Sequence, residues 1–393
     1  MMENEHWLLP EGVDEILPPE AQAMERLRRE LLDLYHCWGY ELVSPPFIEY
    51  LESLLTGTGS DLELQTFKLT DQITGRTLGI RADITPQAAR IDAHQLRRDC
   101  PTRLCYLGTV LNSRGEGLVA SRSPLQIGAE LYGHSGVESE LEILGLMLQS
   151  LQRAGIEEIY LDLGHVGIFR GLVRQAGLGP QREKALFDAL QRKSVPELRT
   201  LVAGFDLPQR QGEMLVALAE LSGENTLIHA RERLSDAGDE VYQALDDLDR
   251  LAGLLTEHRS EIPVHYDLGE LRGYHYHTGV VFAAFAPALG QEVARGGRYD
   301  DIGRLFGRAR PACGFSADLK TLFRLGRQMD REQEPAIFAP SDDDPGLRRK
   351  IAALRSEGKQ VVCALPGQAA GAGEMGCGER LRQQGGDWIV TTV

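Results

Sequence analysis

The sequence predicts an α+β fold. Strand-like runs are mixed with amphipathic helices without strict alternation, a stretch of nearly pure helical character occupies 165–258, and a short β-α-β pattern follows Pro335.

Residues 20 to 38 read as an amphipathic helix, because Met24, Leu27, Leu31, Leu34 and Trp38 recur at spacings of three and four. Gly39 is placed to cap it. The run Tyr40-Glu41-Leu42-Val43 reads as a strand, ended by Pro45 and Pro46, which cannot donate to a ladder. Between Thr66 and Arg81, two strand-like runs flank Thr74-Gly75 and predict a hairpin with a wide turn. Leu104 to Leu111 is a further strand, and Gln126 to Tyr132 another. In the latter, Ile127, Ala129 and Leu131 share one face, so Gln126, Gly128, Glu130 and Tyr132 share the other.

Ser135 and Glu138 have the spacing of a capping box in front of a helix over Val137 to Ala154, ended by Gly155. A strand over Ile159 to Leu163 precedes the helical stretch. Strand character returns at Val264 to Leu268, Gly273 to Phe285 and Gln291 to Ala294. The chain then runs through a turn at Gly296-Gly297-Arg298 to a helix near Ala317 to Leu325. Arg327 to Glu334 reads as a linker. Beyond it come Ala336 to Phe338, a helix over about Pro345 to Ser356, and Gln360 to Leu365. The expected organisation is a core over 1–164 and 259–326, a separate helical insertion over 165–258, and a reduced α/β domain over 335–393.

The 393 residues allow more than one domain, and 42% hydrophobic with 25% charged residues exclude global disorder. The net charge of −16 lacks the overall field that draws proteins to nucleic acid. Six cysteines without a C-x-x-C pair suggest neither a zinc ribbon nor a disulfide framework and fit a reducing compartment. No secretory signal or membrane span is expected, and a cytoplasmic location is the default.

Gln126 and Glu130 project from one strand face with only a glycine between them, an arrangement suited to a small cationic amine. A solvent-facing polar strand face explains the same pattern equally well. His275 and His277 would share a strand face, but two histidines are a weak metal signal, and contacts to structure or ligand are the better reading. Gly296-Gly297 permits close backbone approach and is otherwise an ordinary turn. Thr56-Gly57-Thr58-Gly59-Ser60 has no following Lys-Ser or Lys-Thr and is read as a loop rather than a phosphate cradle. No metal or cofactor is expected.

These pieces, in this order, resemble the histidyl-tRNA synthetase family. The matching elements are Cys37-Trp38-Gly39-Tyr40-Glu41-Leu42-Val43-Ser44-Pro45, Arg81-Ala82-Asp83-Ile84-Thr85-Pro86, Gln126-Ile127-Gly128-Ala129-Glu130, Leu271-Arg272-Gly273-Tyr274-His275-Tyr276, Gly296 to Asp300 and Gly314 to Leu319. The resemblance covers about Glu11 to Leu325. It implies a class II synthetase-like antiparallel sheet flanked by helices. It also implies an amino-acid pocket in which Asp83, Thr85 and Gln126 face an ammonium, Glu130 and Tyr299 an imidazole and Arg272 a carboxylate, with Tyr276 in the same motif. His277 stands where the family has a tyrosine, and Asp83 where it has a glutamate.

The chain departs from the family at the ATP contacts. Leu111-Asn112-Ser113-Arg114 replaces Phe-Arg-x-Glu, and Asp318-Leu319-Lys320-Thr321 replaces Gly-Leu-Glu-Arg. Asn and Thr cannot offer a guanidinium fork to phosphate. The stretch after Pro335 is also shorter than the family's anticodon domain.

A kept amino-acid pocket with lost ATP contacts resembles the ATP phosphoribosyltransferase regulatory subunits, a family of non-catalytic synthetase paralogues. This resemblance implies a short-form catalytic partner in the first step of histidine biosynthesis, histidine as ligand, and a homodimer through the class II core within a hetero-oligomer. No tRNA or membrane partner is implied. The alternatives are a histidine-tRNA ligase with unusual ATP contacts and a histidine-binding interaction protein. Purified chain should show no histidine-dependent ATP–pyrophosphate exchange; exchange above background would select the ligase.

Overall fold

The computed structural model describes residues 8–56, 60–115, 121–258, 262–287, 289–326 and 334–393. The linker expected over Arg327 to Glu334 falls almost wholly outside the described residues, as does the centre of the Thr56 to Ser60 loop. The chain forms two compact units, divided between positions 329 and 330.

The first unit is built on strands β1 (Glu41–Leu42), β2 (Ile48–Tyr50), β3 (Phe67–Thr70), β4 (Thr77–Ile80), β5 (Thr102–Thr109), β6 (Leu125–Tyr132), β7 (Tyr160–His165), β8 (Ser222–Gly223), β9 (Val264–Asp267), β10 (Val280–Phe285), β11 (Glu292–Arg298) and β12 (Ala312–Asp318). Nine of them form one sheet in the order β1-β5-β6-β12-β11-β10-β7-β9-β8. From β5 to β7 every neighbouring pair is antiparallel. β1 ends before Pro45 and Pro46 as expected, and after them a separate strand, β2, joins the predicted β3–β4 hairpin in a small sheet ordered β2-β4-β3.

Ile127, Ala129 and Leu131 of β6 pack into the main core with helices Glu20–Cys37, Glu138–Arg153 and Leu319–Leu325. The first helix buries Leu27, Leu31 and Tyr35. It ends in a Schellman arrangement, in which Gly39 at φ +81° donates to His36 O and the Tyr40 amide reaches Tyr35 O at 3.0 Å. The left-handed φ is what requires glycine there.

The capping box does not form. The second helix starts at Glu138 with Val137 at its N-cap and no capping side chain. Ser135 lies too far ahead of the first turn to accept its amides, Glu138 pairs instead with Arg250, and Ser139 bonds His134 Nδ1 at 2.7 Å.

Among the described residues, six α-helices and a short 3-10 helix (Leu218–Glu220) lie between β7 and β9, from Val166–Gln175 to Asp239–His258. Leu186, Leu198, Leu245 and Leu251 of these helices belong to the same hydrophobic cluster as Leu163 of β7. In the last helix Val241, Leu245, Leu248, Leu251 and Leu255 recur at spacings of three and four and form one buried stripe. His165, held down to about 4 by burial and therefore neutral, accepts the Gly167 amide and caps the first of these helices.

Two further corrections concern the glycine-rich motifs. Residues 272–276 form turns, and strand starts only at Val280. Gly273 takes φ +62°, and both Tyr276 N and His277 N return to its carbonyl at 2.7 Å. His275 and His277 therefore do not share a strand face. Gly296-Gly297-Arg298, read as a turn, is strand β11. Side chains there would strike neighbouring backbone, the Gly314 carbonyl at Gly296 and the Val280 carbonyl at Gly297.

Arg298 ends β11 with its guanidinium buried against Glu140, at 2.5 and 2.7 Å. The second unit orders β13 (Ile337–Ala339), β14 (Val361–Cys363), β15 (Glu379–Gln384) and β16 (Asp387–Thr392) as β14-β13-β15-β16 with helix Pro345–Ser356. Its β15–β16 hairpin turns through Gly385 and Gly386, both at positive φ. Among the described residues, no helix is long and apolar enough to cross a membrane.

Arg298→Ala should lower unfolding free energy by about 3–5 kcal/mol, because it leaves Glu140 buried without its cation. Urea denaturation of the two proteins checks this.

Candidate functional site

The polar face of β6 is buried. Glu130 is 1% exposed, so the solvent-facing reading of that face does not hold. Tyr106 on β5 stands opposite Gly128, and its ring fills the space over that glycine: a Cβ there would come within 2.5 Å of the hydroxyl. The glycine makes room for a tyrosine of the neighbouring strand rather than for a ligand.

Tyr106 donates to Glu130 Oε1 at 2.9 Å. Its own oxygen lies 2.9 Å from Thr85 Oγ1, so the threonine donates in turn. Tyr299, just past β11, donates to Glu130 Oε2. Gly314 on β12 is the register partner of Glu130, and any side chain there would overlap the carboxylate. Burial pushes the Glu130 carboxyl up to about 8, the two tyrosine donors pulling against it. Tyr299 stacks on Tyr276 with centroids 4.9 Å apart, and the Tyr276 hydroxyl is buried without a hydrogen-bond partner.

Six of the seven sequence-derived residues, Asp83, Thr85, Glu130, Arg272, Tyr276 and Tyr299, line one cavity of about 330 Å³. Gln126 does not line it. Its Nε2 donates to Asp83 Oδ1 at 2.7 Å and its Oε1 accepts the Ile84 amide at 2.8 Å. Gln126 thus holds the Asp83–Thr85 turn from beside the cavity. Arg272 lines the cavity already paired, to Glu292 through Nη1 and to Glu270 through Nε at 3.1 Å. A ligand carboxylate must compete with both. Burial raises the pKa of Glu270, with Arg272 opposing the shift.

Sequence reasoning missed Tyr106, the place of Gly314 opposite Glu130, and the acids Asp162, Asp267 and Glu270. Tyr106 shares the Leu104/Gly108 alternation, but only the β5–β6 register shows that it meets Glu130. Asp83, Asp162, Asp267 and Glu270, beside the Glu130 carboxyl, outnumber Arg272 and Arg295 along the wall and favour a ligand carrying positive charge. His277, which burial holds at about 4, is wedged neutral beneath Gly273 and Gly297. Among the described residues, no His/Cys/Asp/Glu group is arranged to hold a metal.

Neither sequence-derived ATP position carries a cation. Asn112 bridges to Thr66, and Thr321 donates to Asp318 at 2.8 Å in the first turn of its helix. Lys320 is turned to Asp14 at 2.9 Å.

A central antiparallel sheet backed by helices, with an acidic and aromatic cavity on its other face, defines a protein of the class II histidyl-tRNA synthetase type. Residues 12–322 match the family model for histidyl-tRNA synthetase, and residues 334–391 match that for the ATP phosphoribosyltransferase subunit HisZ C-terminal domain. The crystal structure of histidyl-tRNA synthetase from Nostoc sp. PCC 7120 superposes with a TM-score of 0.75 at 17% identity, covering 98% of this chain and 97% of that one, which speaks to fold alone.

A structure described as an ATP phosphoribosyltransferase regulatory subunit/histidyl-tRNA synthetase from Bacillus halodurans aligns at TM-score 0.82 and 27% identity, over 95% of this chain and 97% of that chain. Two relatives named ATP phosphoribosyltransferase regulatory subunit are closer in sequence. The one from Thioalkalivibrio sulfidiphilus is 57% identical over 100% of both chains; that from Alkalilimnicola ehrlichii is 56% identical over 98% of this chain and 97% of its own. The chain belongs to the family of ATP phosphoribosyltransferase regulatory subunits, and its role is regulatory rather than catalytic.

Glu130 favours the folded state most when protonated. Its folded pKa of about 8 lies above the ordinary 4.5, so its contribution to stability is complete below pH 4.5 and lost as pH rises through 8. Glu130→Gln should therefore gain stability relative to the parent between about pH 5 and pH 8, as measured by denaturant melts at both ends.

Proposed function

We propose that this chain activates a short-form ATP phosphoribosyltransferase catalytic subunit in the first step of histidine biosynthesis and reports histidine through the Glu130 cavity. The observation that carries the reading is the contrast between the two halves of the inherited site. The acidic and aromatic cavity is built in full, whereas the two positions matching ATP-gripping arginines hold Asn112 and Thr321, both engaged in local structure. In this reading Asp83 and Thr85 take the ammonium, Glu130 and Tyr299 the ring nitrogens, and Arg272 the carboxylate after release from Glu292. Tyr276 stacks beneath. A ligand shifts a coupled enzyme only through differential affinity for its assembly states, so cavity occupancy must favour one of them.

The same reading places the chain as a homodimer within a hetero-oligomer. Leu42, Phe47 and Ile48 are exposed together on and after β1, the short edge strand of the large sheet. It also places the protein in the cytoplasm, supported by six free cysteines. The proposed organisation is a core over 1–164 and 259–326 with an insertion over 165–258 and a C-terminal domain over 335–393.

Reconstitution with the short catalytic chain tests the proposal: activity should appear only with both chains and fall on adding histidine. Glu130→Ala and Arg272→Ala should each weaken histidine binding by about tenfold or more, as expected for hydrogen bonds to charged groups, and blunt inhibition in parallel. Absence of activation rejects the subunit reading. Full inhibition retained in both variants moves the histidine site elsewhere.

A further inference from the structure

The turn over 272–276 runs along the cavity, with every residue from Arg272 to Tyr276 in its wall. Tyr274, 3% exposed, also anchors the turn to the first two helices between β7 and β9. From helix Val166–Gln175, Arg170 Nη2 donates to the Tyr274 carbonyl at 2.5 Å and places its guanidinium 4.8 Å from the ring centroid, while Phe169 meets the ring edge-on at 5.3 Å. From helix Pro180–Gln191, Glu183 Oε1 accepts the Tyr274 hydroxyl at 2.7 Å. Phe187 packs against Tyr274 at 5.4 Å and His275 at 5.6 Å. Phe187 itself lines the cavity. Just past the same helix, Lys193 pairs with Asp267 at the end of β9.

These contacts matter because the turn has little regular structure of its own. It hangs on the Gly273 carbonyl and the left-handed φ of that glycine, outside any ladder. Segments of this kind open locally at low cost unless external contacts hold them. Here the sheet holds the cavity side chains, through Arg272–Glu292 and the Tyr276–Tyr299 stack, and the helices hold the turn through Tyr274.

We propose that Tyr274 is a positioning residue that joins cavity and helices into one device: the helices hold Arg272 and Tyr276 in binding geometry, and cavity occupancy is transmitted through Tyr274 and Glu183 to helix Pro180–Gln191. By linkage, whatever binds the outer side of that helix and favours the anchored arrangement tightens ligand binding by the same factor. The physical warrant is a continuous run of hydrogen bonds and ring contacts from cavity wall to helix. The proposal rests on the reading of the cavity as a histidine site, and the experiment separates the two.

The full chain and its Tyr274→Phe, Glu183→Ala and Glu183→Gln variants are compared by calorimetric histidine titration. Hydrogen exchange is followed in 271–278 and 180–191, with and without histidine. The phenylalanine keeps the ring contacts and removes only the hydroxyl, so folding is preserved. In the parent, histidine should slow exchange in both segments. Tyr274→Phe and Glu183→Ala should bind histidine about threefold to tenfold more weakly, the range of one lost hydrogen bond, and lose the protection of 180–191. Glu183→Gln still offers an acceptor oxygen and should restore both affinity and protection, which a general loss of structure would not allow.

Protection of 271–278 without 180–191 in the parent overturns the proposal, as does unchanged affinity in both Tyr274→Phe and Glu183→Ala. If the parent binds no histidine, the cavity reading fails by itself. The anchor is then decided in unliganded protein: faster exchange of 271–278 in Tyr274→Phe supports it, and unchanged exchange overturns it.

Discussion

A carboxyl group with no cation partner among the described residues stands on an interior strand of the nine-stranded sheet. Glu130 accepts hydrogen bonds from Tyr106 and Tyr299. An isolated buried carboxylate is costly, and two neutral donors offset only part of that cost. The group is therefore poised between protonated and charged forms, and a ligand that brings positive charge or a ring N–H would complete it. Neighbouring features accommodate this one side chain. Gly314 leaves room for it, Gly128 admits the Tyr106 ring, and Tyr299 is fixed between Tyr132 and Tyr276 by ring contacts.

The surroundings of Glu130 also show how one scaffold can keep a cavity while its phosphate-gripping positions change. Adenylation needs guanidinium groups aimed at phosphate. The cavity lies on the face of β6 that carries Glu130, whereas Asn112 follows β5 and Thr321 follows β12, so the two sets of positions sit on different elements. Replacing Arg by Asn or Thr there leaves the Glu130, Tyr106 and Thr85 chain of hydrogen bonds untouched. The buried Arg298–Glu140 pair belongs to a third layer, joining the strand before Tyr299 to the helix behind the sheet.

Local signals read well where the chain's own geometry suffices. The helix ending at Gly39, the β3–β4 hairpin and helix Pro345–Ser356 follow from periodicity and punctuation. They read poorly where a distant group overrides local preference. Tyr274 to Thr278 has strand composition, yet Arg170 and Glu183 draw it into turns. Gly296-Gly297 has the composition of a turn, yet the approach of β10 and β12 makes it a strand. Ser135 and Glu138 have capping spacing, but the helix starts later and Arg250 takes the glutamate.

By itself, the sequence determined the fold class and which side chains share a strand face, because period-two alternation places Gln126 and Glu130 on one face of one strand. Only the tertiary structure decided what covers that face. Burial, register and pairing depend on residues far away in the chain: Tyr106 and Gly314 on flanking strands, Asp83 accepting from Gln126, and Glu292 pairing with Arg272. Alternation along a strand fixes direction, but whether that direction leads to water, to another side chain or to a cavity is set by what the rest of the fold brings opposite.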